Sequence, residues 1–202
     1  MALDRHLYLD VNSVSAHSRW AHGFMAAYAL WGGLTALAVI VILAWLWARR
    51  AGWLTDVVTV VLAGLSGVIA LGINHFVSQA VARVRPCRAL APSHHLTVIL
   101  ACAHDYSFPS DHAIIAGAIA TGLTIFSRRV GLLAWIIALS LAFARVYAGV
   151  HYPGDVLVGL VLGAAIAVVV WGLLRRPAQI VVEWVAASPL RPLVAAGMPR
   201  RF

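Results

Sequence analysis

Five long apolar runs alternate with short polar segments along this chain. They cover approximately residues 23–47, 56–80, 112–127, 130–148 and 155–174. A hydrocarbon core about 30 Å thick needs roughly 20 apolar residues in a helix that rises 1.5 Å per residue, and these runs come near that length. The third run is short, so we expect its start to project above the hydrocarbon or to be sheltered by the other helices. The pattern predicts an all-α integral membrane protein with about five transmembrane helices.

Adjacent arginines indicate which side of the membrane each connection faces. Each of three apolar runs ends at such a pair: Arg49-Arg50, Arg128-Arg129 and Arg175-Arg176. Arginine and lysine are enriched in cytoplasmic loops, so these pairs are predicted to lie in the cytoplasm. The connections at about 81–111 and 150–154 then face the opposite side.

The chain is predicted to divide into three parts. Residues 1–20 are expected to form an extracytoplasmic, interfacial N-terminal helix. Residues 21–175 would form the transmembrane domain. Residues 176–202 lack a spanning pattern, contain Pro177 and Pro199, and are predicted to be a cytoplasmic tail on the membrane surface.

Composition supports the membrane setting and argues against nucleic acid as a partner. Hydrophobic residues make up 62% of the chain and charged residues 11%, whereas soluble domains carry about 25% charged residues. The formal net charge is +8, but it comes largely from arginines at the ends of apolar runs rather than from a basic run with interleaved aromatics. Membrane lipids are therefore the expected partners, and no feature predicts an oligomeric state.

Arginines on the predicted outer side are suited to binding a phosphate. Arg83 and Arg85 lie in the first outer connection, and Arg145 lies near the end of the fourth apolar run. A guanidinium group offers a planar, permanently charged fork of donors that matches phosphate oxygens. Arg85 and Arg145 are predicted to hold an anion from two directions.

His151 and Asp155 flank the predicted start of the last helix. Pro153 is suited to the first turn of a helix, which makes Tyr152 its cap. Asp155 is predicted to accept a hydrogen bond from one ring nitrogen of His151. The other nitrogen would then be free to attack phosphorus.

A second histidine lies at the start of the third apolar run, in the segment Phe108-Pro109-Ser110-Asp111-His112. Ser110 is a good helix cap, and the first backbone N–H groups of the helix would point outward towards a phosphate. Asp111 is included among the predicted substrate-binding residues. His112 is predicted to donate a proton to the departing oxygen.

These three patches together resemble the motifs of the type 2 phosphatidic acid phosphatases, the PAP2 superfamily. That family's motifs end in Arg-Pro, contain Pro-Ser-x-His, and place Arg, His and Asp at fixed intervals. The matching positions here are Arg85-Pro86, Pro109 to His112, and Arg145, His151 and Asp155. The motifs occur in the family's order, and the resemblance covers roughly residues 20–175.

The resemblance implies a PAP2-type helical bundle and a mechanism without metal or cofactor. It implies a phosphohistidine on His151, protonation of the leaving group by His112, and binding of phosphate by Arg85, Ser110 and Arg145. Within the family the chain is similar to bacterial undecaprenyl-diphosphatases of the bacitracin-resistance type, which share Phe-Pro-Ser-Asp-His and His-Tyr-Pro-x-Asp. This implies that an undecaprenyl or decaprenyl diphosphate is hydrolysed at the outer face of a bacterial plasma membrane, which recycles the lipid carrier for cell-wall synthesis.

Two positions depart from the family's pattern. The lysine that usually precedes the first arginine by seven residues is replaced by Ser78, and Arg83 is expected to supply the missing charge. The serine that usually precedes Arg145 is replaced by Ala144, which removes one hydroxyl donor.

Other functions remain open for the same residues. A phosphatidylglycerol phosphate or phosphatidic acid phosphatase would use them with a different lipid, and a phosphotransferase would pass the phosphoryl group to an acceptor other than water. A lipid transporter would have similar spans and would not need His151.

Several polar residues outside the three motifs allow more than one interpretation. His94, His95, His104 and Asp105 are of types that bind zinc, but their spacing fits no familiar zinc motif and favours loop residues without a metal. Asn74 and His75 lie inside the second run and suggest an interhelical hydrogen bond. Cys87 and Cys102 bracket the outer connection and form either a disulfide or two free thiols.

Overall fold

The structure is a computed structural model that describes residues 2–196, and helices dominate it. In chain order they are α1 (Ala2–His17), α2 (His22–Ala27), α3 (Gly33–Ala51), α4 (Leu54–Val81), α5 (Pro86–Ala89), α6 (Asp111–Phe126), α7 (Arg128–Tyr147) and α8 (Pro153–Ala187). A π-helical turn, Tyr28–Gly32, joins α2 to α3, and 3-10 turns lie at Arg19–Ala21 and Arg191–Leu193. The part of the chain that is described contains no β-strand, which confirms the predicted all-α class.

Four helical stretches of the described chain are long and apolar enough to cross a membrane. They are Arg19–Ala51, Leu54–Val81, Arg128–Tyr147 and Pro153–Ala187. The fifth predicted run is α6, which is apolar but has only 16 residues. More than half of its residues are buried, so the neighbouring helices shelter it.

Glycines allow α6 to pack closely on α8. A Cβ on Gly117 would overlap the backbone of Leu160, and a Cβ on Gly163 would overlap the backbone of Ile114. Small residues let helix backbones approach each other in this way inside a membrane. The close contact brings the polar start of α6 next to the polar start of α8.

The last helix is longer than the apolar pattern predicted. α8 continues through Pro177 to Ala187, 35 residues in all, and so extends about 50 Å at 1.5 Å per residue. The tail then folds back, since Ala196 N–H donates to the Arg49 carbonyl at 2.9 Å and the Arg49 side chain donates to the Pro192 carbonyl at 3.1 Å. Met1 and residues 197–202, with Pro199, lie outside the described residues.

The N-terminal helix α1 docks on the loops at one end of the bundle. The buried Tyr8 hydroxyl donates to the Gly149 carbonyl at 3.1 Å. Asn12 exchanges two hydrogen bonds with the Thr97 backbone, at 2.6 and 3.0 Å. The chain turns sharply at Gly149, where φ is +83°, a conformation that glycine adopts without strain. α1 therefore contacts the loop that leads to His151.

The loop between α4 and α6 is tied to itself, and its Ile99 N–H donates to the Ala148 carbonyl, in the loop before α8, at 3.2 Å. A disulfide joins Cys87 of α5 to Cys102, and Arg88 donates to the His104 carbonyl at 3.0 Å. Val84 forms an isolated β-bridge with Tyr106. Arg85, which follows Val84, is thereby held close to the residues that precede α6.

Candidate active site

Histidines and arginines from four separate parts of the chain meet at the end of the bundle on which α1 docks. Arg85 precedes α5, His112 lies in the first turn of α6, Arg145 is near the end of α7, and His151 lies in the loop before α8. Together with Asp111, they line a cavity of about 270 Å³. Residues that sequence reasoning placed in three motifs are therefore brought together.

His151 is held in one orientation by contacts to both ring nitrogens. Its side chain is only 2% exposed. Nδ1 lies 2.9 Å from the Ser107 carbonyl oxygen, which can only accept, so Nδ1 carries the hydrogen. Nε2 therefore presents its lone pair, and it faces Arg85 Nη1 at 3.0 Å and Arg145 Nη2 at 3.3 Å.

The surroundings of His151 also favour its neutral form. Burial, followed by the positive charges of Arg145 and Arg85, holds the pKa of His151 well below its ordinary value. A neutral imidazole is the form that can attack phosphorus. The lone pair thus stays available next to two groups that would hold a phosphate.

Asp155 does not form the hydrogen bond predicted with His151. Its Oδ2 lies 3.7 Å from His151 Nδ1, too far for a hydrogen bond, and accepts instead from the Tyr152 backbone N–H at 2.8 Å. The Ser107 carbonyl is the acceptor that orients His151. Sequence reasoning missed it because a backbone carbonyl in a loop leaves no side-chain signal.

Arg83 is engaged by two carboxylates and does not line the cavity. Its guanidinium donates to Asp155 Oδ1 and to Asp4 Oδ2, both at 2.6 Å, and it stacks over the Tyr152 ring at 3.9 Å. Asp4 Oδ1 also accepts from the Gly154 backbone N–H at 2.7 Å. These contacts make Arg83 and Asp4 positioning residues that join α1 to the start of α8, and sequence reasoning had assigned nothing to Asp4.

Replacing Asp4 by Ala is expected to lower the stability of the protein by about 1–3 kcal/mol, because two charge-assisted or capping hydrogen bonds are lost at a largely buried position. The kcat should fall as well, since the loop carrying His151 loses one of its attachments to α1. Thermal unfolding in detergent measures the first effect. Asp10→Ala, on an exposed position of the same helix, is the matched control, and equal shifts in the two variants would contradict the positioning role.

Arg85 already holds a carboxylate in the way it would hold a phosphate. Its Nε and Nη2 donate to the two oxygens of Asp105 at 2.7 and 3.0 Å, while Nη1 donates to the Val150 carbonyl at 3.1 Å. The hydrogen bond from Arg85 holds the pKa of Asp105 below its ordinary value. Arg145 is buried, and its Nε has no hydrogen-bond partner among the described residues. Arg145 therefore has a donor to spare at this cavity, whereas the donors of Arg85 are engaged by Asp105 and Val150.

The start of α6 carries a hydroxyl on Ser110, which is not among the residues that line the cavity. Ser110 is buried at the cap position, its N–H donates to the Asp155 carbonyl at 3.1 Å, and its hydroxyl has no partner among the described residues. Asp111 is directed towards α4, where it accepts from Asn74 Nδ2 at 2.6 Å. Asn74 also donates to the Pro109 carbonyl at 3.0 Å, so the predicted interhelical hydrogen bond is present and fixes the start of α6.

His112 lines the same cavity as His151. Its Nε2 lies 3.3 Å from the carbonyl oxygen of Leu30, in the π turn. This is within reach of a group bound in the same cavity. His112 can donate a proton, and His151 presents a lone pair beside two arginines. Together these groups can perform phosphoryl transfer.

The loop histidines do not assemble a metal site. Within residues 2–196, no three His, Cys, Asp or Glu side chains lie close enough together to hold a metal ion. His94 lies beside Ser93 and Arg5, at 2.8 and 3.5 Å, while Asp105 is bound to Arg85.

Comparisons with known proteins agree with the motifs and the helical architecture. Residues 53–178 match the PAP2 superfamily. The undecaprenyl-diphosphatase BcrC of Bacillus subtilis is 32% identical over 71% of this chain and 68% of its own length, and an undecaprenyl-diphosphatase of Sulfolobus acidocaldarius is 35% identical over 51% of this chain and 49% of its own. The crystal structure of a transmembrane PAP2-type phosphatidylglycerolphosphate phosphatase from Bacillus subtilis superimposes with a TM-score of 0.63 at 21% identity, covering 87% of this chain and 86% of that one. That likeness establishes a shared fold.

Proposed function

Since this chain belongs to the PAP2 superfamily, we propose that it hydrolyses a polyprenyl diphosphate to the monophosphate and inorganic phosphate through a phosphohistidine on His151. The observation that carries the proposal is the position of His151 Nε2. This nitrogen lies 3.0 Å from Arg85 Nη1 and 3.3 Å from Arg145 Nη2. A phosphate bound to both arginines would place its phosphorus beside this nitrogen.

The reaction proceeds in two steps. His151 Nε2 attacks the terminal phosphorus and the bond to the bridging oxygen breaks. Protonated His112 gives that oxygen a proton and becomes neutral, so that the lipid monophosphate leaves. Water, from which His112 now takes a proton, then attacks the phosphohistidine and releases inorganic phosphate. Arg85, Arg145 and the Ser110 hydroxyl stabilise the charge that develops on the phosphoryl oxygens.

Two observations support a lipid diphosphate as the substrate. Apolar residues line part of the cavity beside the polar groups, among them Leu30, Leu100 and Val150, which suits a lipid close to its headgroup. The two relatives described above are both undecaprenyl-diphosphatases. The product would be a lipid monophosphate, and the enzyme would return a spent carrier to use in cell-wall synthesis.

We place the site on the extracytoplasmic side of a bacterial plasma membrane. The disulfide between Cys87 and Cys102 lies in the loop that carries Arg85, and disulfides persist in oxidising compartments. The arginine pairs at 49–50 and 128–129 lie at the opposite ends of the helices, as the cytoplasmic ends should. A tag inserted between His94 and His95 should be accessible to an antibody added outside intact cells.

A substrate panel tests the proposed activity. Phosphate release in detergent with excess EDTA should be faster for a C55 polyprenyl diphosphate than for phosphatidic acid or phosphatidylglycerol phosphate, by about tenfold or more in kcat/KM. A preference for either glycerolipid would assign the site to that lipid instead. Release from none of the three would remove the hydrolase proposal altogether, and dependence on an added alcohol acceptor would indicate a phosphotransferase.

A further inference from the structure

The first membrane-spanning stretch contains a π turn that takes part in the site. The turn, Tyr28–Gly32, is closed by a hydrogen bond from the Gly33 N–H to the Tyr28 carbonyl. π turns are rare, widen the helix and are frequent at functional sites. This one lies outside the residues that match the family, 53–178.

Two carbonyl groups of the π turn accept hydrogen bonds from the site. The Ala29 carbonyl accepts from Arg145 Nη1 at 3.3 Å, and the Leu30 carbonyl accepts from His112 Nε2 at 3.3 Å. Tyr28 holds the turn against α7, because its hydroxyl bonds to Ser140 Oγ at 2.6 Å. The turn therefore contacts both the phosphate-binding arginine and the candidate proton donor.

The contact between His112 and Leu30 indicates where the leaving group lies. A carbonyl oxygen can only accept, so His112 Nε2 carries a hydrogen that is directed at the Leu30 carbonyl. In the proposed reaction His112 is the imidazolium, with a hydrogen on each ring nitrogen, and its Nε2 hydrogen passes to the oxygen that links the cleaved phosphorus to the lipid monophosphate. That oxygen must consequently replace the Leu30 carbonyl as the acceptor, beside the π turn.

We propose that the π turn forms the binding site for the lipid side of the substrate, with the first isoprene units seated against Leu30. This inference rests on the proposed function. Leu30 lines the cavity together with Leu100 and Ala101, and it is 40% exposed, so it connects the cavity to the outer surface of the span. Trp31 and Phe24 belong to the same helical stretch, and each is 71% exposed on its lipid-facing surface.

We call this surface of the π turn, with Leu30 at its centre, the lipid seat, and below simply the seat. In this proposal different elements bind the two parts of the substrate. Arg85, Arg145 and Ser110 bind the terminal phosphate, whereas the π turn binds the apolar chain that follows the second phosphate. A bulky side chain at position 30 should therefore obstruct the chain and leave the phosphate subsite open. This difference allows the two parts to be measured separately.

Leu30→Trp tests the seat, with Val161→Trp as the matched control, since Val161 is 70% exposed on the lipid-facing side of α8. We expect Leu30→Trp to lower kcat/KM for a C55 polyprenyl diphosphate by about tenfold or more. Inhibition by inorganic phosphate should stay within about twofold of the native protein, because the phosphate subsite is unchanged. Val161→Trp should alter neither quantity.

The outcomes separate the seat from the proposed function. An unchanged kcat/KM in Leu30→Trp, or an equal loss in both variants, would overturn the seat while the hydrolase stands. Inactivity of the native protein would overturn the function itself. If Leu30→Trp fails to fold, the unaltered protein can be photocrosslinked to a polyprenyl diphosphate that carries a diazirine in its first isoprene unit. Crosslinks to residues 24–32 support the seat, and crosslinks confined to α4 or α8 overturn it.

Discussion

Replacing His151 by Gln should lower phosphate release from the lipid diphosphate by a factor of about 10⁴ or more, because the variant has no nucleophile to form the phosphoenzyme. Glutamine keeps a similar size and can still bond to the Ser107 carbonyl, so the loop should retain its conformation. Binding of inorganic phosphate should remain, since Arg85, Arg145 and the Ser110 hydroxyl are unaltered. Initial rates with saturating substrate and an inhibition series with inorganic phosphate measure the two effects.

The covalent intermediate provides a second measurement of the same step. A rapidly quenched reaction of the native protein with a substrate labelled in its terminal phosphate should leave an acid-labile phosphate on the peptide that contains His151. His6→Gln, at an exposed position of α1, makes the same chemical change away from the site and should behave like the native protein. Label on any other residue, or rapid turnover by His151→Gln, would contradict the proposed nucleophile.

The apolar pattern predicted the membrane bundle well because hydrophobic length is a strong signal in a lipid environment. The shortness of the third run left two alternatives open for α6, a start above the hydrocarbon or shelter by the other helices, and the buried residues of α6 agree with shelter. The pattern placed the end of the last span near 174, whereas α8 continues to Ala187. A proline such as Pro177 is a good indicator of a helix end, but α8 has several turns before it and more than two after it, and continues without the hydrogen bond that Pro177 cannot donate.

The residues of the candidate site could be predicted only where a side chain carries the chemistry. Arg85, His112, Arg145 and His151 line one cavity, and each belongs to a motif whose residue types suit phosphate. The acceptors that orient the two histidines are backbone carbonyls of Ser107 and of the π turn. Any residue type has such a carbonyl, so only the folded chain reveals which ones are used.

Contacts from the N-terminal helix were unpredictable for a related reason. No sequence motif distinguishes Asp4, yet it binds Arg83, 79 residues away, at 2.6 Å. Such a long-range pair leaves no local pattern. The pair matters for the site, because Arg83 forms ion pairs with both Asp4 and Asp155 and is thereby directed away from the phosphate cavity.

Replacing Arg85 by Gln should lower kcat/KM by about 10²–10³, because one of the two guanidinium groups that stabilise the transferring phosphoryl group is lost. The same change should shift the acid limb of the pH profile. His151 attacks as the neutral imidazole, so activity is lost as the pH falls through its pKa. Arg85 lies 3.0 Å from Nε2 and helps to hold that pKa below its ordinary value. Without its charge the pKa rises, and the loss of activity should begin at a higher pH.

Two further variants distinguish the charge of Arg85 from its geometry. Arg85→Lys keeps the positive charge but loses the planar fork, so the rate should fall while the acid limb stays near that of the native protein. Arg85→Gln also releases Asp105, and the double variant with Asp105→Asn removes that unpaired carboxylate from the comparison. Burial, the charge of Arg145 and Asp155 at 3.7 Å remain the same in all three variants. An acid limb that does not move in Arg85→Gln or in the double variant would show that burial and Arg145 suffice to keep His151 neutral, and would leave Arg85 with phosphate binding alone.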